Sequence, residues 1–450
     1  MYLNTNHFNT VQNNKINFQG TKKAQNISPA NFINTDRMVD SFVNMAKVDT
    51  GSNEELAEKR TPSTPGQTKF AKQLEKQLNK MGLSDIKLDE HSILTATLNG
   101  NIGENSPVIG LIAHMDTSPD APNKNVQPKI HDYKGGDIKL AEDAIIPAED
   151  LKDCVGSKVI TSDGKTLLGA DDKAGIAEIL EAMNIYKEHP ELKHPTIRIA
   201  FTPDEETGTG VDSFDIKKFG ADVAYTIDGD KPNLIESKTF NAFNPEIIIK
   251  GHNTHPGYAY NKMINSIEVA NSFINSLPKK QTPTTTKGTQ GYYHVANING
   301  TEEGTNISML VRDFDYEKAQ KRIEYLKETA AKIQVKYPGC SIQVDPNEKY
   351  KNMEESIKQF PEVVNFAKLG VKRSGISPKV VGVRGGTDGS ELSLRGLLTP
   401  NLGAGGRNFH SRTEFLPIDD MKKCTENIIN ILSVWAEKAP SIMAKLISRR

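Results

Sequence analysis

The chain has 450 residues, of which 36% are hydrophobic and 25% are charged, and its formal net charge is −1 at pH 7. This length predicts two domains, or one large domain with an insertion. The near-neutral charge gives no electrostatic case for binding nucleic acid or a membrane surface, and the apolar runs are too short for a membrane span.

The cysteines and the N-terminal segment predict the cellular compartment. Cys154, Cys340 and Cys424 are scattered without CxxC spacing, so we expect buried thiols in a reducing compartment rather than a disulfide framework. Residues 1–35 are rich in Asn, Gln and Lys and poor in aliphatic side chains, which predicts a disordered tail. Because this tail lacks the continuous apolar core of a signal peptide, we expect a cytoplasmic protein.

The first ordered elements are predicted from the spacing of apolar residues. Met38 and Phe42 begin an apolar stripe that favours a helix capped near Asp36, and a second amphipathic helix is expected to end at Gly82. Residues 108–113 are almost all apolar. That pattern is typical of a central strand that is covered on both faces, as in an α/β sheet.

The strand at 108–113 leads directly into His114 and Asp116. Residues two apart in an extended segment point the same way. Both side chains can therefore face one site, with His114 as a ligand and Asp116 orienting its neighbour, although an HxD pattern alone is weak evidence. Residues 118–153 hold several prolines and a Gly-Gly pair, so we expect an irregular surface excursion near that site.

A helix is predicted to follow Gly169, with Ile176 and Leu180 in its apolar stripe. Asp171 and Asp172 precede this helix. Aspartate is a preferred N-cap, and the helix dipole favours a negative charge there. Because one aspartate is enough for a cap, the other is available to bind a ligand.

An acidic turn follows the strand predicted at residues 197–202. The chain breaks at Pro203 and then presents Asp204, Glu205 and Glu206. Adjacent carboxylates repel one another, and a bound cation is the usual compensation. Considered alone, this stretch is more typical of a solvated acidic loop with Gly208 and Gly210 as turn residues, and the ligand-type residues at the other strand ends favour the cation site instead.

A third predicted strand, at residues 223–227, runs into Asp228. Ligand sites of open α/β sheets lie outside the carboxyl ends of the strands. We therefore expect one imidazole and four carboxylates to converge there, namely His114, Asp171, Glu205, Glu206 and Asp228. This set suits two divalent ions that share a bridging carboxylate, and zinc is the ion we expect.

Residues 240–347 are predicted to form a second domain inserted into the first. The predicted order of elements is β-α-β-β-α-β, which is typical of a ferredoxin-like motif. The catalytic domain would then consist of residues 36–239 and 348–450. The inserted domain carries a polar cluster at residues 252–257, and the returning segment carries a Gly-Gly-Thr-Asp-Gly run and, further on, His410.

Six segments together resemble the M20 family of di-zinc metallopeptidases, and within it the tripeptide aminopeptidases. In chain order they are HMDTSPD at 114–120, LLGADDKAGIAEIL at 167–180, FTPDEETGTG at 201–210, NTHPG at 253–257, RGGTDG at 384–389 and NFH at 408–410. They occur in the family's order and at comparable separations, and the similarity runs from about residue 36 to the end. The resemblance implies an α/β fold with a zinc-peptidase-like mixed sheet flanked by helices, and a ferredoxin-like α+β lid domain inserted into it.

The resemblance also implies which residues hold the two zinc ions of each subunit. His114 and Asp228 would bind one ion, Glu206 and His410 would bind the other, and Asp171 would bridge them. No expected ligand is missing from the sequence.

Further roles carry over with the same motifs. Glu205 would be the general base, Asp172 would support the bridging aspartate, and Asp116 would orient and polarise the site. His255 on the inserted domain would approach the scissile carbonyl when the domains close, and Arg312 would hold the carboxylate of the substrate. The sequence leaves open whether His255 acts in its own subunit or in that of a partner.

The implied reaction is release of the N-terminal residue from tripeptides by attack of a metal-bridging water. The alternatives are other M20 activities, namely a dipeptidase, a carboxypeptidase or an N-acyl amino acid deacylase, because these share the metal site and differ in the substrate pocket. A non-catalytic binding module would have lost the base or a ligand. The resemblance implies short peptide substrates, no nucleic-acid or membrane partner, and leaves a homodimer open.

Overall fold

The computed structural model describes residues 29–449. The predicted disorder of residues 1–28 lies outside this range and stays a prediction. Pro29–Phe32 forms a 3-10 helix, so ordered structure begins before residue 36. The first α-helix is capped by Asn34, whose side chain accepts a hydrogen bond from Arg37 N–H at 3.0 Å, rather than by Asp36.

The described chain contains both α-helices and β-strands, and the helices range from four residues to the thirty of the C-terminal helix. The α-helices are α1 (Thr35–Ala46), α2 (Glu54–Ala57), α3 (Pro65–Lys80), α4 (Ala170–Glu188), α5 (Ile216–Phe219), α6 (Ser266–Asn275), α7 (Tyr316–Lys336), α8 (Glu354–Ile357), α9 (Glu362–Arg373), α10 (Asp388–Leu394) and α11 (Ile418–Ile447). The β-strands are β1 (Ser84–Leu88), β2 (Leu94–Leu98), β3 (Val108–His114), β4 (Lys129–Asp132), β5 (Ile138–Ala141), β6 (Ala144–Ile146), β7 (Lys158–Thr161), β8 (Thr196–Thr202), β9 (Val223–Gly229), β10 (Leu234–Lys238), β11 (Asn241–Phe243), β12 (Glu246–Lys250), β13 (Tyr292–Gly300), β14 (Gly304–Asp313), β15 (Ser341–Asp345), β16 (Glu348–Tyr350), β17 (Lys379–Gly382), β18 (Asn401–Gly403) and β19 (Phe415–Pro417).

An eight-stranded mixed sheet has the strand order β1-β2-β8-β3-β9-β18-β10-β17. Strands β8, β3, β9 and β18 run parallel to one another in its middle. The three strands predicted from their apolar runs, β3, β8 and β9, are buried along nearly their whole length. Because parallel neighbours end at the same edge, the residues that follow these strands meet there.

Both faces of this sheet are covered. On one face, Leu111, Ile199 and Tyr225 belong to a large core that also contains residues of α1, α4 and α11, and on the other face Ile112 and Ala200 belong to a smaller core. This alternation explains why the central strands are apolar at successive positions. Among residues 29–449, no helix has the length and apolar character that crossing a bilayer requires.

A second, antiparallel sheet contains β15, β12, β14 and β13 in that order, with β11 and β16 extending it. Helices α6 and α7 pack on it around a core of its own, which includes Phe273, Ile307 and Leu326. Its element order is the β-α-β-β-α-β order expected from the sequence. These features support the inserted lid domain, whose bounds at residues 240 and 347 we retain as a proposal.

The structure also differs from the predictions in the segment after β3 and at the end of β9. The segment 118–153 was predicted to be irregular, but it contains β4, β5 and β6, and β4 joins β7 and β19 in a small antiparallel sheet. These strands have only three or four residues each, which is too short to show a period-2 pattern. Strand β9 continues to Gly229, so Asp228 lies within the strand rather than after it.

Candidate metal centre

His114 ends β3 and is almost completely buried, with 2% of its side chain exposed. Its Nε2 lies 2.8 Å from Asp171 Oδ1 and 3.5 Å from Asp228 Oδ1. Its Nδ1 faces Asp116 Oδ1 at 3.3 Å. One edge of the imidazole therefore faces two carboxylates, and the other faces the aspartate that was predicted to orient it.

His410 approaches the same aspartate from the opposite side. Its Nε2 lies 2.8 Å from Glu206 Oε2 and 3.4 Å from Asp171 Oδ2, while its Nδ1 lies 3.0 Å from Asp120 Oδ2. The two oxygens of Asp171 thus face different histidines. His114 and Asp228 form one group around Oδ1, and His410 and Glu206 form a second group around Oδ2.

The donor atoms of these groups fit a metal site. In the described part of the chain, Glu206 Oε1 is buried and has no hydrogen-bond partner, which is costly unless a cation or another donor faces it. The ligand atoms of His114, Asp171 and Glu206 lie within 4.8 Å of one another. Imidazole nitrogen and carboxylate oxygen are donors that suit zinc and its divalent neighbours.

The charges of the two groups depend on one another. Burial raises the pKa of Glu206 to about 8 and that of Asp228 to about 7, and the carboxylate of Asp171 adds to both rises. Burial also acts to raise the pKa of Asp171, but its hydrogen bonds to His114 and His410 hold that pKa below its ordinary range. Metal binding requires neutral imidazoles and ionised carboxylates. The positive charge of a divalent ion favours these deprotonated forms because it lowers the pKa values of the side chains around it.

A second arrangement of ligands is also compatible with the distances, because His114, Asp172 and Asp228 lie equally close together. However, both oxygens of Asp172 already accept backbone hydrogen bonds. Its Oδ2 accepts from His114 N–H at 3.1 Å and its Oδ1 from Gly175 N–H at 3.2 Å. Asp172 therefore fixes the end of β3 against the start of α4, and Asp171 is the better ligand.

Comparisons with known proteins agree with this geometry. Residues 155–433 match the family model described as peptidase family M20/M25/M40. The chain is 44% identical over 407 residues to peptidase T of Clostridium botulinum (strain Kyoto / Type A2), which spans 89% of this chain and 99% of that protein. The chain belongs to the M20/M25/M40 peptidase family. Peptidase T of Geobacillus kaustophilus is likewise 44% identical over 408 residues, with the same coverage.

Solved structures share the fold of this M20 peptidase. Aminopeptidase PepT from Bacillus cereus ATCC 10987 superposes with a TM-score of 0.71 at 24% identity, covering 90% of this chain and 100% of that one. A tripeptidase from Staphylococcus aureus gives a TM-score of 0.71 at 22% identity, with the same coverage. The α/β fold and the family predicted from the motifs are confirmed.

The acidic turn of the peptidase is held from two sides. Asp116 is fully buried and accepts hydrogen bonds from Glu205 N–H at 3.0 Å and Glu206 N–H at 3.3 Å. Asp204 is also buried, and its carboxylate accepts from Gln67 Nε2 at 2.6 Å and Ser63 N–H at 2.5 Å. The turn is therefore anchored, and the solvated-loop interpretation of this stretch is wrong.

Glu205 and Glu206 have different surroundings although they are adjacent. Both residues line the cavity, but Glu206 faces His410, whereas the carboxylate of Glu205 has no hydrogen-bond partner among the described residues. Burial raises the pKa of Glu205 well above its usual range, and the charge of Asp228 adds to the rise. This arrangement leaves Glu205 available for proton transfer.

Glu414 is a supporting residue to which the sequence analysis assigned no role. It is buried, and its Oε2 accepts hydrogen bonds from Leu168 N–H at 2.7 Å and Gly169 N–H at 2.8 Å, while its Oε1 accepts from Asp171 N–H at 3.1 Å. Burial raises its pKa to about 7, although these backbone donors oppose the rise. Glu414 thus fixes the turn that carries Asp171, and its only sequence signal is its position shortly after His410.

A cavity of about 670 Å³ lies at the two groups of candidate ligand side chains. The residues that line it include the predicted site residues Glu205, Asp228 and His410. Tyr350 and Asp388 also line it. This volume is within the range of small-ligand sites.

Two predicted residues lie elsewhere, and neither is among the described residues that line the cavity. His255 is exposed on the loop between β12 and α6. Arg312 is half-buried, its Nη1 donates to Phe243 O at 2.9 Å and Asn244 Oδ1 at 3.0 Å, and its guanidinium stacks on Tyr350. Their roles in substrate binding stay predictions.

Proposed function

We propose that this peptidase is a di-zinc aminopeptidase that releases the N-terminal residue of tripeptides. Asp171 carries the proposal, because its two oxygens face two separate histidine–carboxylate pairs. The choice of substrate is supported by the motifs and by the relatives named peptidase T, which are 44% identical over 99% of their own length.

In this proposal, His114 and Asp228 would hold one zinc ion, Glu206 and His410 would hold the other, and Asp171 would be shared between them. When bound, the two ions would lower the pKa of a water molecule and polarise the scissile carbonyl group. Asp116 keeps His114 oriented and holds the acidic turn in place, and such supporting contacts usually matter for metal affinity.

Glu205 performs the proton transfers. Its carboxylate faces the cavity, and its backbone is fixed by Asp116. It accepts a proton from the attacking water and then gives that proton to the leaving amine. The raised pKa of Glu205 suits this role, because a carboxylate with an ordinary pKa is a weak base at neutral pH.

His255 supplies the second stabilising group in this proposal. Its Nδ1 accepts a hydrogen bond from Gly257 N–H at 3.1 Å, so the proton of the neutral ring resides on Nε2. An Nε2–H group can donate to the developing oxyanion. Because His255 is exposed, it must be brought to the carbonyl by movement of its own inserted domain or by a partner subunit.

The proposal is tested by hydrolysis of matched substrates with the zinc-loaded protein. The set consists of a dipeptide, a tripeptide, a tetrapeptide, an N-blocked tripeptide and an N-acyl amino acid. We expect release of the N-terminal residue from the tripeptide, and no cleavage when its amine is blocked. Cleavage of the blocked or acylated compounds in preference to the free tripeptide would instead assign a carboxypeptidase or deacylase activity.

A cytoplasmic location and a homodimer are retained as parts of the proposal. Cys154, Cys340 and Cys424 are all free and buried, which supports a reducing compartment. Light scattering coupled to gel filtration measures the mass of the protein in solution. A mass of one chain at micromolar concentration would contradict the homodimer.

A further inference from the structure

One carboxylate of the cavity has no role in the mechanism above. Asp388 is the first residue of α10 and lies in the Gly-Gly-Thr-Asp-Gly run that the sequence analysis singled out. Its side chain is 6% exposed, and it lines the same cavity as Glu205 and Asp228. A carboxylate buried to this degree normally faces a cation or several hydrogen-bond donors.

The chain itself supplies little of that compensation. Thr202 Oγ1 donates a hydrogen bond to Asp388 Oδ2 at 2.7 Å. Across residues 29–449, no lysine or arginine forms an ion pair with Asp388, and the charges that act on its pKa are those of His114, which lowers it, and of Asp116 and Asp228, which raise it.

Other acidic residues of the cavity wall are balanced differently. The positive charges of Arg407 and Lys231 oppose the rise that burial causes in the pKa of Asp230, and the charge of Arg395 does the same for Glu391, although neither carboxylate forms an ion pair within residues 29–449. Glu236 accepts a hydrogen bond from Asn401 Nδ2 at 2.7 Å. Asp388 differs from all three because its charge also acts on Glu205, the proposed general base.

The substrate of an aminopeptidase carries a positive charge close to the bond that is cut. The α-ammonium nitrogen is separated from the scissile carbonyl carbon by two covalent bonds, a distance of about 2.5 Å. Its acceptor must therefore lie beside the groups that act on the carbonyl. The metal ligands are already engaged with one another, and Glu205 is needed for proton transfer.

We propose that Asp388 binds the α-ammonium group of the substrate and thereby selects peptides with a free N-terminus. This inference rests on the proposed aminopeptidase function. It assigns to Asp388 the selection of substrates that have a free N-terminal amine. Thr202 holds one oxygen of Asp388, and the ammonium group provides the missing cation for the carboxylate.

The test compares trialanine with propanoyl-dialanine, which is the same molecule with hydrogen in place of the amine. The wild type should prefer trialanine in kcat/KM by about 100-fold or more, because a site built to bind a charged group discriminates strongly against its absence. Asp388→Asn should reduce this preference to below about tenfold, mainly by slowing cleavage of trialanine. Zinc content and thermal unfolding establish that the variant is folded and loaded.

Thr202→Val is the matched control, because it removes the hydrogen bond to Asp388 and keeps the carboxylate. We expect this variant to retain most of the preference for trialanine. Calorimetric binding of alanine hydroxamate and propanohydroxamate provides a readout that does not depend on turnover. Asp388→Asn should weaken binding of alanine hydroxamate by about tenfold or more and leave the amine-free hydroxamate unchanged.

Equal losses with both substrates, or equal effects of Asp388→Asn and Thr202→Val, would overturn the inference and leave the aminopeptidase proposal in place. A wild-type protein that cleaves propanoyl-dialanine but not trialanine would overturn both. The two failures are therefore distinguishable in one set of measurements.

Discussion

The edge of the large sheet and the loop at residues 252–257 both carry histidine, but the fold places them in opposite environments. At the sheet edge, His114 is 2% exposed and its ring nitrogens lie within 3.5 Å of three carboxylates. On the loop, His255 is exposed, and its side chain accepts a hydrogen bond from Gly257, only two residues away. Folding of the parallel strands assembles the first region, whereas we propose that the second reaches the site by movement of its domain or from a partner subunit.

The largest effect is expected from the acidic turn at the assembled edge. Glu205→Gln removes the group that moves the proton, so kcat should fall roughly 10³- to 10⁴-fold. Zinc content, measured by mass spectrometry of the metal, should remain at the wild-type level because Glu205 is not one of the ligands. Glu206→Gln is the adjacent control and should lose zinc. Loss of zinc from Glu205→Gln as well would contradict the different roles of the two glutamates.

A smaller effect on rate is expected from the exposed loop. His255→Ala should lower kcat about 10²- to 10³-fold, because it removes one donor to the oxyanion, while zinc affinity stays unchanged. The same substitution at His252, which is exposed on the same loop, should have little effect. If His255→Ala changes zinc affinity but not kcat, the loop histidine belongs to the metal site rather than to a mobile element.

Supporting contacts at the sheet edge should influence metal affinity rather than proton transfer. Glu414→Gln weakens the hold on three backbone N–H groups around Asp171, so zinc affinity should fall about 10- to 100-fold in competition with a chromophoric chelator. Glu437→Gln, which changes an exposed ion pair with Arg373, is the control on the following helix. An unchanged affinity in Glu414→Gln would show that the turn is held without this carboxylate.

The smallest effect concerns the stability of the helix that begins at this edge. Glu178 in α4 is fully buried, its oxygens have no hydrogen-bond partner in the described chain, and burial raises its pKa well above the usual range. A protein that buries a carboxyl group with a raised pKa in the folded state becomes less stable as the pH rises from the pKa of that group in the unfolded chain towards its pKa in the folded chain. Glu178→Met should therefore remove this decline and increase the free energy of unfolding at pH 8 by about 1–3 kcal/mol.

Denaturant unfolding at pH 5 and pH 8 measures this change. The wild type should lose stability between the two pH values by more than Glu178→Met does. Parallel changes in the two proteins would contradict the assignment of a buried, protonated carboxyl group to position 178.

The sheet edge was predictable because its signals are local. Strands β3, β8 and β9 each contain a continuous apolar run, and each run is followed within a few residues by a ligand-type side chain. The pattern of residues alone did not distinguish Asp171 from Asp172; the family resemblance assigned the bridging role to Asp171, and the two backbone hydrogen bonds that Asp172 accepts are compatible with that assignment. Glu414 could not be assigned to Asp171 because 243 positions separate the two residues.

The environment of the exposed loop was less predictable. The motif around His255 identifies a residue type, but its distance from the site depends on how one sheet is placed relative to the other, which no local pattern specifies. Arg312 is a similar case, because its contacts with Phe243 O and Tyr350 arise from pairing of distant strands.

Anomalous diffraction at the zinc absorption edge from crystals of the zinc-loaded protein tests the central claim most directly. The account predicts two peaks, one beside Asp171 Oδ1 with His114 and Asp228, and one beside Asp171 Oδ2 with Glu206 and His410. A single peak, or a peak coordinated by Asp172 in place of Asp171, would contradict it.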